Sequence, residues 1–357
     1  MPERTIDEIA DAVRPPGVDA DAWRDEAIEA IVQLTEPERE ARTSLALTGI
    51  SMALFYVALG WNFGWALTPF VVLIILIHEL GHYTAMKLFG FRELQIIFIP
   101  FFGAVVMGRK PDATQTQHAI KALAGPLPGL LVAALVMMAV LKGWVAMPPK
   151  EVYSVAFLTL ILNSFNLAPI EPLDGGHFLH ALLFSRYPWI ESACRVVSAV
   201  IFAYLGYKVS VIFAIIAFFI LQTLPVTYRI SKLAARLRKE NLNVDPTFDE
   251  MTTERMLKAY ALTHEFVKDD PKLDLVQNTR MRTGLLQRAY PGALARPASA
   301  FAVIILSAIY LLAVGVAGAT WLEHRNAHAR YEEQVLKQQQ LDAELESAPK
   351  TRVRILE

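Results

Sequence analysis

Cysteine is almost missing from this chain: among 357 residues there is one, Cys194. That excludes an intrachain disulfide framework and any cysteine-rich zinc site, so a bound metal must be held by His, Asp or Glu. Net charge is nearly missing too, at −1, and no basic stripe dominates, which excludes a nucleic-acid partner. Charged residues make up 19%, where ordinary soluble domains carry about 25%. Hydrophobic residues make up 54%, and the mean hydropathy is +0.35. An ordinary cytosolic enzyme, a disordered chain and a collagen-like chain are all poor fits to these values.

The apolar excess is unevenly spread. Residues 1–43 hold 12 Asp/Glu against 5 Lys/Arg, with no basic start leading into an apolar core, so they are not a cleavable signal peptide. Asp19–Leu34 has helical spacing and reads as a solvated amphipathic helix or tether. From Ser44 to Phe63 no charge occurs over about 20 residues, enough to span a bilayer. Thr68-Pro69 reads as a helix cap with proline at the first helical position, opening a second span over Phe70–Phe89. Ala119–Val140 and Val152–Leu167 are the third and fourth spans. Ile190–Leu224 is too long for one span and reads as a hairpin of two, and Ser299–Leu322 is the last. Between the second and third spans, Leu94–Val106 is β-branched, aromatic and broken by Pro100 and Gly103. It reads as a short β-hairpin at membrane depth.

The expected fold is an all-α polytopic membrane protein of about seven transmembrane helices with that hairpin. Its parts are an acidic helical region (1–43), a membrane core (44–225), a polar helical region (226–298), a final span (299–322) and a polar helical tail (323–357). Lysines and arginines gather in the Lys87–Lys121 connection and after Leu224, at Arg229, Lys232, Arg236, Arg238 and Lys239. By the positive-inside tendency these segments are cytoplasmic, and so are the N-terminus and 226–298 of a multi-pass protein of the cell membrane.

The second span contains His78-Glu79-Leu80-Gly81-His82, an H-E-x-x-H pattern. Residues four apart share one helix face, so both imidazoles reach one ion, while Glu79 sits about 100° round the helix beside it. There it can take a proton from a water that the metal activates. Burying His, Glu and His in an apolar span costs a few kcal/mol each, which makes a chance occurrence rare. A catalytic zinc wants three protein ligands plus water. No suitable third ligand follows His82 closely; the best acid elsewhere is Asp174, in Asn166-Leu167-Ala168-Pro169-Ile170-Glu171-Pro172-Leu173-Asp174-Gly175-Gly176-His177. Two prolines break the helix there and two glycines allow close backbone approach. Glu171 is an alternative ligand, and His177 an alternative support for Asp174. His118, His180 and His264 read as ordinary polar residues.

H-E-L-G-H at 78–82 together with N-L-A-P-I-E-P-L-D-G at 166–175 resembles the site-2 protease family of intramembrane zinc metalloproteases. The likeness covers roughly Phe70–Leu183, including Ala124-Gly125-Pro126. It implies a three-helix core that cuts transmembrane substrates, single-span membrane proteins, within the lipid bilayer. By position, His78, His82 and Asp174 match the Zn²⁺ ligands, Glu79 the general base, and Asn166 an asparagine that contacts substrate or the developing oxyanion. The 91 residues between His82 and Asp174 leave no room for a PDZ domain, and 226–298 is too short for a pair of CBS modules. Two rival readings use the same His/Asp cluster: a metal-binding transporter and a non-proteolytic membrane scaffold.

Overall fold

The computed structural model describes residues 5–36, 44–100, 103–145, 150–184 and 187–347. The helices are, in chain order, α1 (Ile6–Val13), α2 (Ala20–Thr35), α3 (Leu45–Phe63) and α4 (Thr68–Leu88). The strands β1 (Arg92–Ile99) and β2 (Gly103–Arg109) follow, then α5 (Gln115–Ala124), α6 (Pro126–Leu141), α7 (Lys150–Asn166) and α8 (Asp174–Leu179). The chain continues through α9 (Pro188–Lys208), α10 (Val211–Lys239), α11 (Thr253–Ala261), α12 (Leu275–Leu294) and α13 (Ala300–Ser347). The described residues are thus mostly helical, with one two-stranded antiparallel sheet.

Among the described residues, five helical stretches are long and apolar enough to cross a membrane: Thr68–Leu88, Gln115–Leu141, Trp189–Lys208, Val211–Lys239 and Ala300–Ala327. Leu45–Trp61 and Val152–Asn166 are shorter apolar helices. The long apolar run at 190–224 does divide in two, at Val209-Ser210, where Ser210 caps α10 by accepting from the Ile212 amide. The start of α4 differs in detail from the expectation. Leu67 occupies the cap position, and Thr68 lies inside the helix, donating its hydroxyl to Gly64 O at 2.8 Å.

The hairpin forms where expected, with Ile96 opposite Val106 and Phe98 opposite Ala104. Its outer β1 edge is covered by polar side chains of α3. Thr48 donates to Ile96 O at 2.7 Å, and Ser51 accepts from the Phe98 amide at 3.2 Å. Gln95 fills the same seam by bonding Ser44 and Thr48. Among the described residues, β2 has no strand on its other edge.

One expectation needs correction. The acidic N-terminal region forms the expected amphipathic helix over Ala20–Thr35, but it is neither solvated on its apolar face nor a tether. Trp23, Ala27, Ala30 and Leu34 are buried in one core with Leu233 and Leu237 of α10, Tyr260 of α11, and Leu286 and Tyr290 of α12. The apolar spacing on α2 exposed a face, but its partner lies over 200 residues away. The polar tail is helical as far as Ser347 and continuous with the last apolar helix: α13 runs unbroken from Ala300 to Ser347, because a helix ladder does not require apolar side chains. The tail beyond Ser347 lies outside the described residues.

The shared core is fixed by a buried charge cluster. Glu26 Oε1 lies 2.5 Å from Arg282 Nη1, accepts from the Tyr260 hydroxyl at 2.5 Å, and is 3.1 Å from His264 Nε2. Arg282, 2% exposed, also reaches Asp269 at 2.7 Å. Burial alone would raise the Glu26 carboxyl, but its contacts with His264 and Tyr260 and the charge of Arg282 outweigh that and hold it below the usual glutamate value. A lowered folded pKa stabilises above the unfolded value and is lost as pH falls through the folded one. Thermal unfolding of the full chain should therefore show acid destabilisation of the helical region that Glu26→Gln reduces. Glu26→Ala, which removes the buried acidic partner of Arg282 and leaves it only the exposed Asp269, should cost about 3–5 kcal/mol and free α1 and α2 for limited proteolysis.

Candidate metal centre

On α4, His78 and His82 stand one turn apart with ring centroids 4.9 Å from each other, both buried. Asp174 opens α8 directly across from them. Its Oδ2 lies 3.0 Å from His78 Nε2 and 3.3 Å from His82 Nε2, and the two Nε2 atoms are 3.1 Å apart. One ligand atom from each residue falls within 4.8 Å of the others, a group able to hold a metal ion.

The far side of each ring decides what the near side offers. His82 Nδ1 faces the Lys121 carbonyl at 2.8 Å, and a carbonyl only accepts, so Nδ1 carries the proton. His78 Nδ1 faces Asn163 Oδ1 at 3.0 Å; the Asn163 amide nitrogen donates to Thr159 O at 2.8 Å, which orients the oxygen toward the ring. Both Nε2 atoms therefore present lone pairs, and Asp174 presents a third. Three lone pairs about 3 Å apart repel one another unless a cation sits among them. Two imidazole nitrogens and a carboxylate oxygen, with room for a fourth ligand, form a donor set suited to a catalytic divalent ion. Acceptors behind the ring N–H groups are the usual support for such ligands.

Glu79 is 6% exposed, on the side of α4 that meets β2, where the Val106 backbone amide points at its carboxylate. Asn166 ends α7, half-buried, at the head of the segment leading to Asp174. Among the described residues no hydrogen bond joins it to His78, Glu79, His82 or Asp174. Asn163, one turn earlier and 1% exposed, is the residue that touches His78. Its sequence signal was an amide inside an apolar helix, one turn before Asn166. Glu171 turns away from the cluster to pair with Arg195. His177 is exposed, His118 packs edge-on against Phe91, and His180 lies 3.4 Å from Glu191.

Two glycines make the close approach possible. A Cβ on Gly81 would lie 2.1 Å from Ala124 O, so α4 lies directly on the end of α5. A Cβ on Gly125 would lie 2.2 Å from His82 Nε2, the atom that ring would offer to a metal.

Residues 66–146 match the model of peptidase family M50. The likeness to the site-2 proteases therefore holds over the H-E-x-x-H helix, the hairpin, α5 and α6; the matched stretch ends before Asp174. The chain is 28% identical over 124 residues to a zinc metalloprotease of Methanocaldococcus jannaschii, covering 33% of this chain and 34% of that protein. It is 31% identical over 125 residues to stage IV sporulation protein FB of Bacillus subtilis, covering 35% and 42%. The matched segment thus spans less than half the length of these curated relatives. A solved site-2 protease from Methanocaldococcus jannaschii aligns over 49% of this chain and 86% of that one, at 24% identity and a TM-score of 0.37.

Because Gly125 faces a ligand nitrogen, Gly125→Ala should push the His82 ring off the shared point. Metal retained after purification should fall at least tenfold while the chain stays folded, read by elemental analysis beside circular dichroism. Gly284→Ala, at a helical glycine with nothing within 4 Å of the added carbon, should retain the metal.

Proposed function

We propose that this protein is an intramembrane zinc metalloendopeptidase that cleaves transmembrane segments of single-span membrane proteins. The convergence of three lone pairs from His78, His82 and Asp174 on one buried point carries the reading, and the peptidase family M50 match supplies the reaction class. These residues would hold Zn²⁺, which when bound acts as a Lewis acid on water and on the substrate carbonyl. Glu79, buried beside His78, takes the proton of the attacking water and delivers it to the leaving nitrogen. Asn166 donates from its amide to the developing oxyanion.

A helical substrate must unwind, since its carbonyls are otherwise bonded within the helix. The hairpin supports a receiving edge. Ile96 and Phe98 turn their polar groups outward to α3, so their partners Val106 and Ala104 turn theirs outward on β2. The open edge is therefore β2, next to Glu79, where an unwound segment adds as a third strand.

In this reading the N-terminus and residues 226–298 are cytoplasmic and the chain crosses the membrane seven times. The core that α1 and α2 share with the end of α10 supports one common side for them, and the basic run from Arg229 to Lys239 supports the cytoplasmic side. Five long apolar helices and two shorter ones supply segments for seven crossings.

Purified protein should carry about one zinc per chain. Glu79→Gln should keep it and lower cleavage of a transmembrane substrate by about 10²–10⁴-fold; full activity in that variant refutes the mechanism, and zinc-dependent transport without cleavage establishes the transporter reading. Ala104→Pro, which removes an outward amide but no ladder bond, should reduce cleavage at least tenfold with zinc retained. Unchanged cleavage there rules out strand addition on β2.

A further inference from the structure

Asp174 is presented by an irregular segment, residues 167–173, that does little to hold itself. Its own backbone bonds are short-range, from Leu167 and Ala168 to the end of α7, from Ile170 to Ala168 and from Leu173 to Ile170. Pro169 and Pro172 have no amide hydrogen to offer. The N-cap of α8, Leu173, has no side-chain cap. The start of α8 nevertheless packs hard on this segment. A Cβ on Gly175 would lie 2.2 Å from Leu167 O, and one on Gly176 would lie 2.5 Å from Ile170 C. Segment and helix start therefore move as one body, and whatever fixes the segment fixes Asp174.

The grips come from outside. Tyr310 of α13 donates to Leu167 O at 2.7 Å. Ser198 of α9 accepts from the Glu171 amide at 3.0 Å, and Arg195, one turn earlier on α9, binds Glu171 Oε2 through Nη2 at 2.9 Å. Glu171 is 7% exposed. A carboxylate buried at that depth in an apolar protein cannot swing free, because unpaired it would bear its full desolvation cost. Arg195 is itself held: the same Nη2 lies 3.5 Å from Glu191 Oε1, and Glu191 Oε2 accepts from Ser231 of α10 at 2.5 Å.

We propose that Arg195 is a positioning residue that clamps Glu171, and through it the 167–173 segment, so that the Asp174 carboxylate is held at the point where His78 and His82 converge. The proposal rests on the zinc-peptidase reading of that cluster. It gives Glu171 a role distinct from metal ligation. It also separates two duties within one buried ion cluster: Glu191 and Ser231 join α9 to α10, whereas Glu171 joins α9 to the ligand-bearing segment.

The test uses the full-length protein in lipid nanodiscs. Amide hydrogen exchange of residues 167–174 is measured without metal, and zinc affinity by chelator competition. Arg195→Met and Glu171→Gln should each speed exchange of that segment at least tenfold and weaken zinc binding at least tenfold. The double variant should be no worse than the stronger single one, because both remove the same contact. Ser231→Ala, which removes only the Glu191–Ser231 hydrogen bond between α9 and α10, should leave both readouts at wild-type values. Should Arg195→Met fail to fold, Arg195→Lys keeps the charge without the planar fork and should move both readouts in the same direction by less. Wild-type exchange and zinc affinity in Arg195→Met, or in Arg195→Lys where Met does not fold, overturn the clamp, as does an equal effect from Ser231→Ala. Since exchange is read without metal, a protein that cleaves nothing but shows the exchange change keeps the clamp and removes the peptidase.

Discussion

Three lone pairs aimed at one point inside an apolar protein are unstable by themselves, and much of the surrounding structure keeps them there. The Lys121 carbonyl and the Asn163 amide oxygen set the proton on the outer nitrogen of each imidazole. Gly81 and Gly125 remove the atoms that would keep α4 away from α5 and α6. The broken segment before α8 brings the acid across. Removing any of these relaxes the repulsion, which is why such an arrangement persists only where a cation repays it.

The membrane core was largely legible because lipid imposes blunt rules. Apolar runs of about 20 residues announce helices, and His78, Glu79 and His82 stand out because an ionisable residue inside such a run is expensive. The i, i+4 spacing then places the two rings together without any knowledge of the rest of the fold. Asp174 could be singled out since prolines and glycines mark where helix gives way to irregular backbone. Asn163 was not legible. An amide in an apolar helix signals cost but not address, and which of Asn163 and Asn166 faces His78 depends on how α7 is rotated against α4.

The polar regions were read less well for a related reason. Amphipathic spacing in Asp19–Leu34 reveals a face without naming what covers it, and the partner helices lie beyond the whole membrane core in sequence. The Glu26–Arg282 pair, 256 positions apart, carries no local signature at either end. Likewise the change from apolar to polar composition near Glu323 marks where lipid contact ends, not where the α13 backbone stops. Composition reports the surroundings of a helix, whereas its length is set by propensity and hydrogen bonding.

The core shared by α1, α2 and α10–α12 also has a consequence for biosynthesis. Trp23 and Glu26 leave the ribosome long before Tyr260 and Arg282, separated by more than 230 residues of chain and, at about 5–20 residues per second, by roughly ten to fifty seconds. During that interval the first two helices have no core to enter. Closure comes only after α10, α11 and α12 have been made. Helices made early in synthesis are thus among the last to find their packing partners.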